Sequence, residues 1–86
     1  MSDAVAANHK ANADEVRRHA KSIRRLAADL DLGTPRVRDD GTVVIHSLEP
    51  GYRQANRLSA AASQIVGAYV HVITDDVPGA ASASDL

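Results

Sequence analysis

The chain has no Cys, no Trp and no Phe, and only two Tyr, among its 86 residues. Without Cys it forms no disulfide, and its sequence contains no zinc-finger spacing. Without Phe and Trp, which usually dominate core energetics, the core must be built from aliphatic side chains. Domains near this size rarely gain more than about 3–5 kcal/mol from one core unless disulfides, metals or partners add to it. We therefore expect association with another chain.

Basic residues are missing from the last third of the chain. All ten Lys and Arg lie between Lys10 and Arg57, so an anion-binding face must come from the first two-thirds. There is no run of about 18 apolar residues that would predict a membrane span. The first residues also lack the basic region and apolar stretch of a secretory signal. We expect no membrane association and no cofactor, and a location in the cytoplasm or in an intracellular particle.

A first helix is predicted over residues 13–32. Asn12 and Glu15 have the spacing of a capping box, and Gly33 can end the helix in a left-handed conformation before Pro35. Helical periodicity predicts an apolar stripe formed by Val16, Ala20, Ile23, Leu26, Ala27 and Leu30. A basic stripe on the other side comprises Arg17, Arg18, Lys21, Arg24 and Arg25.

Residues 36–46 have the pattern of a β-hairpin, with two possible turn registers. A two-residue turn would pair Arg38 with Val43 and mix charged and apolar side chains on one face. A three-residue loop, with Gly41 left-handed, would instead pair Val37 with Val43. We prefer the second register because it gathers Val37, Val43 and Ile45 on one face.

A second helix is predicted over residues 50–66, ended by Gly67, and a strand follows over residues 68–74. A strand–helix–strand unit in one sheet makes this last strand parallel to the strand near residues 43–46. The last strand could lie beside either arm of the hairpin.

The predicted fold class is α+β, with the order α-β-β-α-β, a three-stranded mixed sheet and two helices on one face. Residues 13–76 form the single domain. We expect residues 1–12 to be a flexible N-terminal segment and residues 77–86 to be a disordered C-terminal tail.

The last strand carries apolar side chains on both of its faces. If helices cover only one sheet face, either Val70 and Val72 or Tyr69, His71 and Ile73 remain for a partner. We predict a protein interface formed by Tyr69, His71 and Ile73.

Residues with catalytic chemistry follow two predicted parallel strands, where open α/β sheets usually bind ligands. They are His46, Ser47, Glu49, Asp75 and Asp76. Their spacing matches no catalytic motif, and capping and turn roles explain each one. His46 and His71 could approach each other, but we predict no metal site and no catalytic residue.

One segment resembles a known family. Residues 38–52, with the sequence RDDGTVVIHSLEPGY, resemble the hairpin-into-helix segment of Phd/YefM-type antitoxins. The resemblance implies a dimer that binds operator DNA through its N-terminal domain. The chain departs from the family pattern because Tyr52 comes one position late and no strand precedes the first helix.

Two functions follow from these observations. The first is a non-enzymatic protein-interaction or assembly module, either a homo-oligomer or a small subunit of a larger complex. The alternative is a small antitoxin-like DNA-binding regulator that uses the basic stripe, with Arg36 and Arg38 as further phosphate contacts.

Overall fold

The computed structural model describes residues 9–46, 53–76 and 82–86. The predicted residues Ser47, Glu49 and Tyr52 lie outside the described residues, as do positions 50–51 at the predicted start of the second helix. Within the described residues the elements are α1 (Ala13–Arg18), α2 (Ala20–Asp29), β1 (Arg36–Val37), β2 (Val43–Ile45), α3 (Arg53–Val66), β3 (Val72–Thr74) and β4 (Ser84–Asp85).

The first helix begins with the predicted capping box. The Asn12 side chain accepts from the Glu15 backbone N–H at 2.9 Å, and the Glu15 carboxylate accepts from the Asn12 N–H at 3.1 Å. The helix does not run unbroken, because His19 (φ −108°, ψ 22°) separates α1 from α2. The His19 N–H bonds to the Val16 carbonyl three residues back, which tightens the turn there. The described chain therefore has three helices, and the prediction of two was wrong.

The end of α2 comes earlier than predicted. Leu30 is the C-cap residue of α2, and Asp31, which follows it, adopts a left-handed conformation with φ 58°. The Leu32 N–H bonds to the Ala27 carbonyl at 2.9 Å, and the Asp31 N–H bonds to the Ala28 carbonyl at 3.1 Å. These two bonds form a Schellman motif, which satisfies helix-end carbonyls.

The hairpin has the predicted register. Val37 pairs with Val43, and Arg36 pairs with Val44 in the antiparallel ladder. Gly41 has φ 90°, and the loop is closed by bonds between Arg38 and both Thr42 and Gly41. The preference for apolar side chains on one face therefore identified the correct turn.

Across the described ranges the sheet has four strands, in the order β3-β2-β1-β4, rather than the predicted three. β3 is parallel to β2, as the strand–helix–strand order predicted, and β2 is the hairpin arm beside which it lies. The added strand β4 lies in the segment expected to be a tail, and it pairs antiparallel with β1. The physical reason is that Leu86 enters the core and its N–H donates to the Pro35 carbonyl.

The helices pack on the sheet face that carries Val37, Val43 and Ile45. This core is aliphatic and rich in Ala, as the composition requires. Its buried members are Ala11, Val16, Ile23, Ala27, Leu32, Val37, Val43, Ile45, Ala55, Leu58, Ala62, Ala68, Val70, Val72 and Leu86.

Candidate protein-interaction site

Alternation along the last strand decides which of its side chains are covered. Val70 and Val72 lie in the core beneath α3. β3 spans only Val72–Thr74, so it is shorter than the strand predicted over residues 68–74, and Tyr69 forms an isolated bridge with Lys10. Since Val70, Val72 and Thr74 are buried, alternation along the extended chain places Tyr69, His71 and Ile73 on the outer face. Tyr69 is 43% exposed, and His71 and Ile73 are partly buried. The helices therefore cover the valine set and leave the other one open to contact.

The outer face is not bare at its centre. Val44 is fully buried, and its registered neighbours are Arg36 on β1 and Ile73 on β3. The outer face is therefore covered at Val44 on β2. The accessible apolar surface lies toward β3.

Tyr69 and His71 form a pair on this face. The Tyr69 hydroxyl lies 3.1 Å from His71 Nδ1, and the two ring centroids are 6.0 Å apart. Tyr69 is held by the chain before α1, since the Ala11 N–H donates to the Tyr69 carbonyl and the Tyr69 N–H donates to the His9 carbonyl. The aromatic ring is thus presented from a fixed backbone.

β3 is also an edge strand of the described sheet, since β2 is its sole strand neighbour there. The edge is closed at Val70 by two side chains of α3. Ser63 Oγ accepts from the Val70 N–H at 2.8 Å, and Ser59 donates to the Val70 carbonyl at 2.5 Å. The two serines are four residues apart and so lie on one side of the helix. The sequence analysis did not identify this role.

The structure brings two of the candidate catalytic residues together. His46 Nδ1 lies 2.8 Å from Asp75 Oδ2, at the carboxyl ends of β2 and β3. A carboxylate in this position orients an imidazole, as in general-base pairs. However, the His46 side chain is 62% exposed, and Asp76 bonds to the Thr74 hydroxyl instead of joining the pair. By itself the arrangement is a hydrogen-bonded pair at the surface.

The basic stripe does not act as one surface. Arg17 donates to Ser84 Oγ at 2.8 Å and to the Asp85 carbonyl, and Arg24 donates to the Leu86 carbonyl at 3.0 Å. Arg17 therefore binds β4, and Arg24 binds Leu86, the residue that follows it. Arg18, Lys21 and Arg25 are exposed and make no hydrogen bond or ion pair within the described ranges.

Three other kinds of feature would bear on function within the described residues: a metal site, a pocket and a membrane-spanning helix. Among the residues that the structure describes, no three His, Asp or Glu side chains lie close enough to hold a metal ion. A pocket of about 410 Å³ is lined by Arg24, Ala28, Asp31, Gly33, Thr34 and Pro35, away from the residues with catalytic chemistry. No helix in the described part of the chain is long and apolar enough to cross a membrane.

Comparison with known proteins gives no family for this chain. No family model, no curated protein and no solved structure matches it, so the resemblance of residues 38–52 to antitoxins gains no support from these comparisons.

Proposed function

We propose that this protein is a non-enzymatic protein-interaction module whose contact surface is the outer side of β3. The observation that carries the proposal is the solvent-exposed Tyr69 on the segment that leads into β3, whose outer edge has no strand neighbour within the described sheet. Tyr is enriched at protein interfaces, where it supplies a large apolar area and a polar end. An unpaired strand edge adds backbone donors and acceptors that another chain can bind.

The matched comparison for this surface is Ile65 on α3. Ile65 and Tyr69 are the two large apolar side chains that are strongly exposed among the described residues, at 41% and 43%. They differ in position, because Ile65 is on a helix and Tyr69 is on the bridged segment that leads into β3. A substitution to Asp at each position therefore places the same charge on two equally exposed apolar sites.

We expect the protein to self-associate or to be part of a larger assembly, and Tyr69→Asp to weaken that association at least tenfold. Ile65→Asp should leave it within about twofold. The measurement is molecular mass by light scattering over a range of concentrations, with circular dichroism as the control for folding. A parent protein that stays monomeric, and whose behaviour is the same in both variants, contradicts the proposal.

A second candidate is a DNA-binding regulator that uses the exposed part of the basic stripe. Arg18, Lys21 and Arg25 support it, because they are the stripe residues that bind neither β4 nor Leu86. Phosphate binding through them would weaken steeply as salt concentration rises. A gel-shift assay with all three changed to Glu tests this, and Arg57→Glu on α3 is the control. Absence of any shift at low salt for the parent protein removes this candidate.

A further inference from the structure

Resting on the interaction surface proposed above, we propose that its partner is a second copy of this chain. The two copies pair antiparallel through β3, about a two-fold axis at Ile73. This pairing extends each four-stranded sheet into one sheet that runs through both molecules.

The backbone of β3 determines where such pairing can occur. His71 and Asp75 direct backbone groups toward β2, since the His71 carbonyl accepts from Val43 and the Asp75 N–H donates to the Ile45 carbonyl. The backbone groups of Val70, Val72 and Thr74 therefore point to the open edge. Because Ser59 and Ser63 already satisfy Val70, the available edge begins at Val72.

With the two-fold axis at Ile73, the paired residues lie on this available edge, and the ladder ends before Val70, whose backbone the two serines already bind. Val72 then pairs with Thr74 of the second copy, and Thr74 pairs with Val72 of the second copy. Each of these pairs exchanges two N–H···O bonds, so the ladder contains four. The two Ile73 side chains form the pair between them, in which Cα atoms are about 4.5 Å apart.

The same register makes the flanking side chains complementary. His71 of each copy lies opposite Asp75 of the other copy, so this pair occurs twice, once on each side of the two-fold axis. The contact of Tyr69 with Nδ1 leaves Nε2 of His71 available, and the contact with His46 uses only Oδ2 of Asp75. Within the described residues the remaining Nε2 and Oδ1 have no other partner. They can form a hydrogen bond between the copies.

Neighbouring registers lack this complementarity. An axis at Val72 would place His71 opposite Ile73, and an axis at Thr74 would place Ile73 opposite Asp75. Each puts a polar or charged side chain against an apolar one across the strands. The Ile73 axis is therefore the register that the side chains favour.

The paired region is short, so the dimer should be weak. Stable interfaces bury about 1,200–2,000 Å² in total, and a ladder of three residues per copy lies at or below the lower end. We expect a dissociation constant of about 10 µM or weaker, and measurements must extend to the millimolar range.

The first experiment is crosslinking of the Ile73→Cys variant under mild oxidation. Because the chain has no other Cys, any disulfide must join the two introduced residues. The proposed register brings the two introduced thiols within disulfide distance, and we expect a covalent dimer. His71→Cys is the control on the same face. Its two copies would be about 13 Å apart, four strand residues, and should not crosslink.

The second experiment tests the register through charge. His71→Asp should weaken the dimer at least tenfold in sedimentation equilibrium, because it places two carboxylates opposite each other. Asp75→His added to that variant should restore association, since the pair is then reversed.

The outcomes separate this inference from the proposed function. If the parent protein associates through Tyr69 but Ile73→Cys gives no covalent dimer, the two-fold register is overturned and the interaction surface stands. If His71→Cys crosslinks as efficiently as Ile73→Cys, the register is also overturned. A parent monomer that is indifferent to Tyr69→Asp overturns both.

Discussion

Gly41 is the residue at which the hairpin loop touches the chain before α1. It has φ 90°, and a Cβ atom built there would lie 2.7 Å from the Asn12 carbonyl carbon and would also meet the Ala11 carbonyl oxygen. These neighbours are backbone atoms that cannot rotate away. The loop therefore needs Gly for two reasons, its left-handed conformation and the space it occupies.

Gly33 provides a matched comparison, since it is also left-handed (φ 69°) but faces open space. We predict that Gly33→Ala lowers the free energy of unfolding by about 1 kcal/mol, the cost of the backbone conformation alone. Gly41→Ala should cost about 3 kcal/mol or more, because the clash is added. Urea denaturation measures both. Equal losses for the two variants would show that the loop does not pack against the backbone of Ala11 and Asn12.

At the scale of elements, β4 depends on contacts from the first two helices. Its backbone pairs with β1, and Arg17 binds its polar groups. Arg24 binds the carbonyl of the next residue, Leu86, whose side chain enters the core. A strand of two residues has too few backbone bonds to hold itself in place. Side-chain contacts from the helices therefore keep the segment on the sheet.

We predict that Arg17→Ala combined with Arg24→Ala lowers the free energy of unfolding by about 1–2 kcal/mol, from two partly exposed hydrogen-bonding groups. Amide exchange at Leu86 should become faster. Arg18→Ala with Arg25→Ala removes the same kind of side chain from the same helices where no hydrogen bond or ion pair is described, and should change stability by less than about 0.5 kcal/mol. Similar losses in both double variants would contradict the role assigned to Arg17 and Arg24.

The elements differ in how far the sequence could predict them. The capping box, the Val37–Val43 register and the parallel β2–β3 pair follow from local patterns, and all three are confirmed. β4 could not be predicted because Ser84 and Asp85 have low strand propensity. Their position is set by arginines more than sixty residues away.

The candidate site was predictable in part, for a similar reason. Period-two alternation identified the two side-chain sets of the last strand, and packing by α3 selects which one is covered. The break between α1 and α2 at His19 could not be predicted, because no Gly or Pro lies there. The closure of Val70 by Ser59 and Ser63 depends on how the helix sits against the strand, which the helical pattern alone does not specify.

At the scale of the whole molecule, only Ile65 and Tyr69 are strongly exposed among the large apolar side chains of the described residues. Its Cα radius of gyration is 11.9 Å, close to the roughly 12 Å of a compact domain of this length. Val70 and Val72 are both in the core. The surface left for a partner is therefore narrow, the outer side and edge of β3, and this agrees with a weak dimer more than with an obligate one.

Two hydrogen-bonded carboxylates, Glu15 at the start of α1 and Asp40 in the hairpin loop, should make the stability of the whole fold sensitive to acid. The Asn12 backbone N–H, with smaller effects of His9 and Arg18, lowers the pKa of Glu15 below its ordinary value of 4.5. The Thr42 backbone N–H, helped by Lys10 and Arg38, lowers the pKa of Asp40 below 3.8. Both groups hold their protons less tightly in the folded state than in the unfolded state.

A lowered pKa in the folded state means that each carboxylate stabilises the fold above its unfolded pKa and loses that contribution as the pH falls through its folded pKa. We therefore predict that the contribution of these two groups to the free energy of unfolding is constant near neutral pH and declines from about pH 5 downward.

Glu15→Gln combined with Asp40→Asn keeps the side-chain shapes but removes the titration. The free energy of unfolding of this double variant should therefore decline less steeply with falling pH than that of the parent protein. Asp39→Asn, a neighbouring exposed carboxyl without a described hydrogen bond, is the control and should keep the parent slope. Urea denaturation at several pH values between 7 and 3 measures the slopes. Since a shallower slope means fewer protons taken up on unfolding, equal slopes in the double variant and the parent protein would show that other groups cause the acid sensitivity.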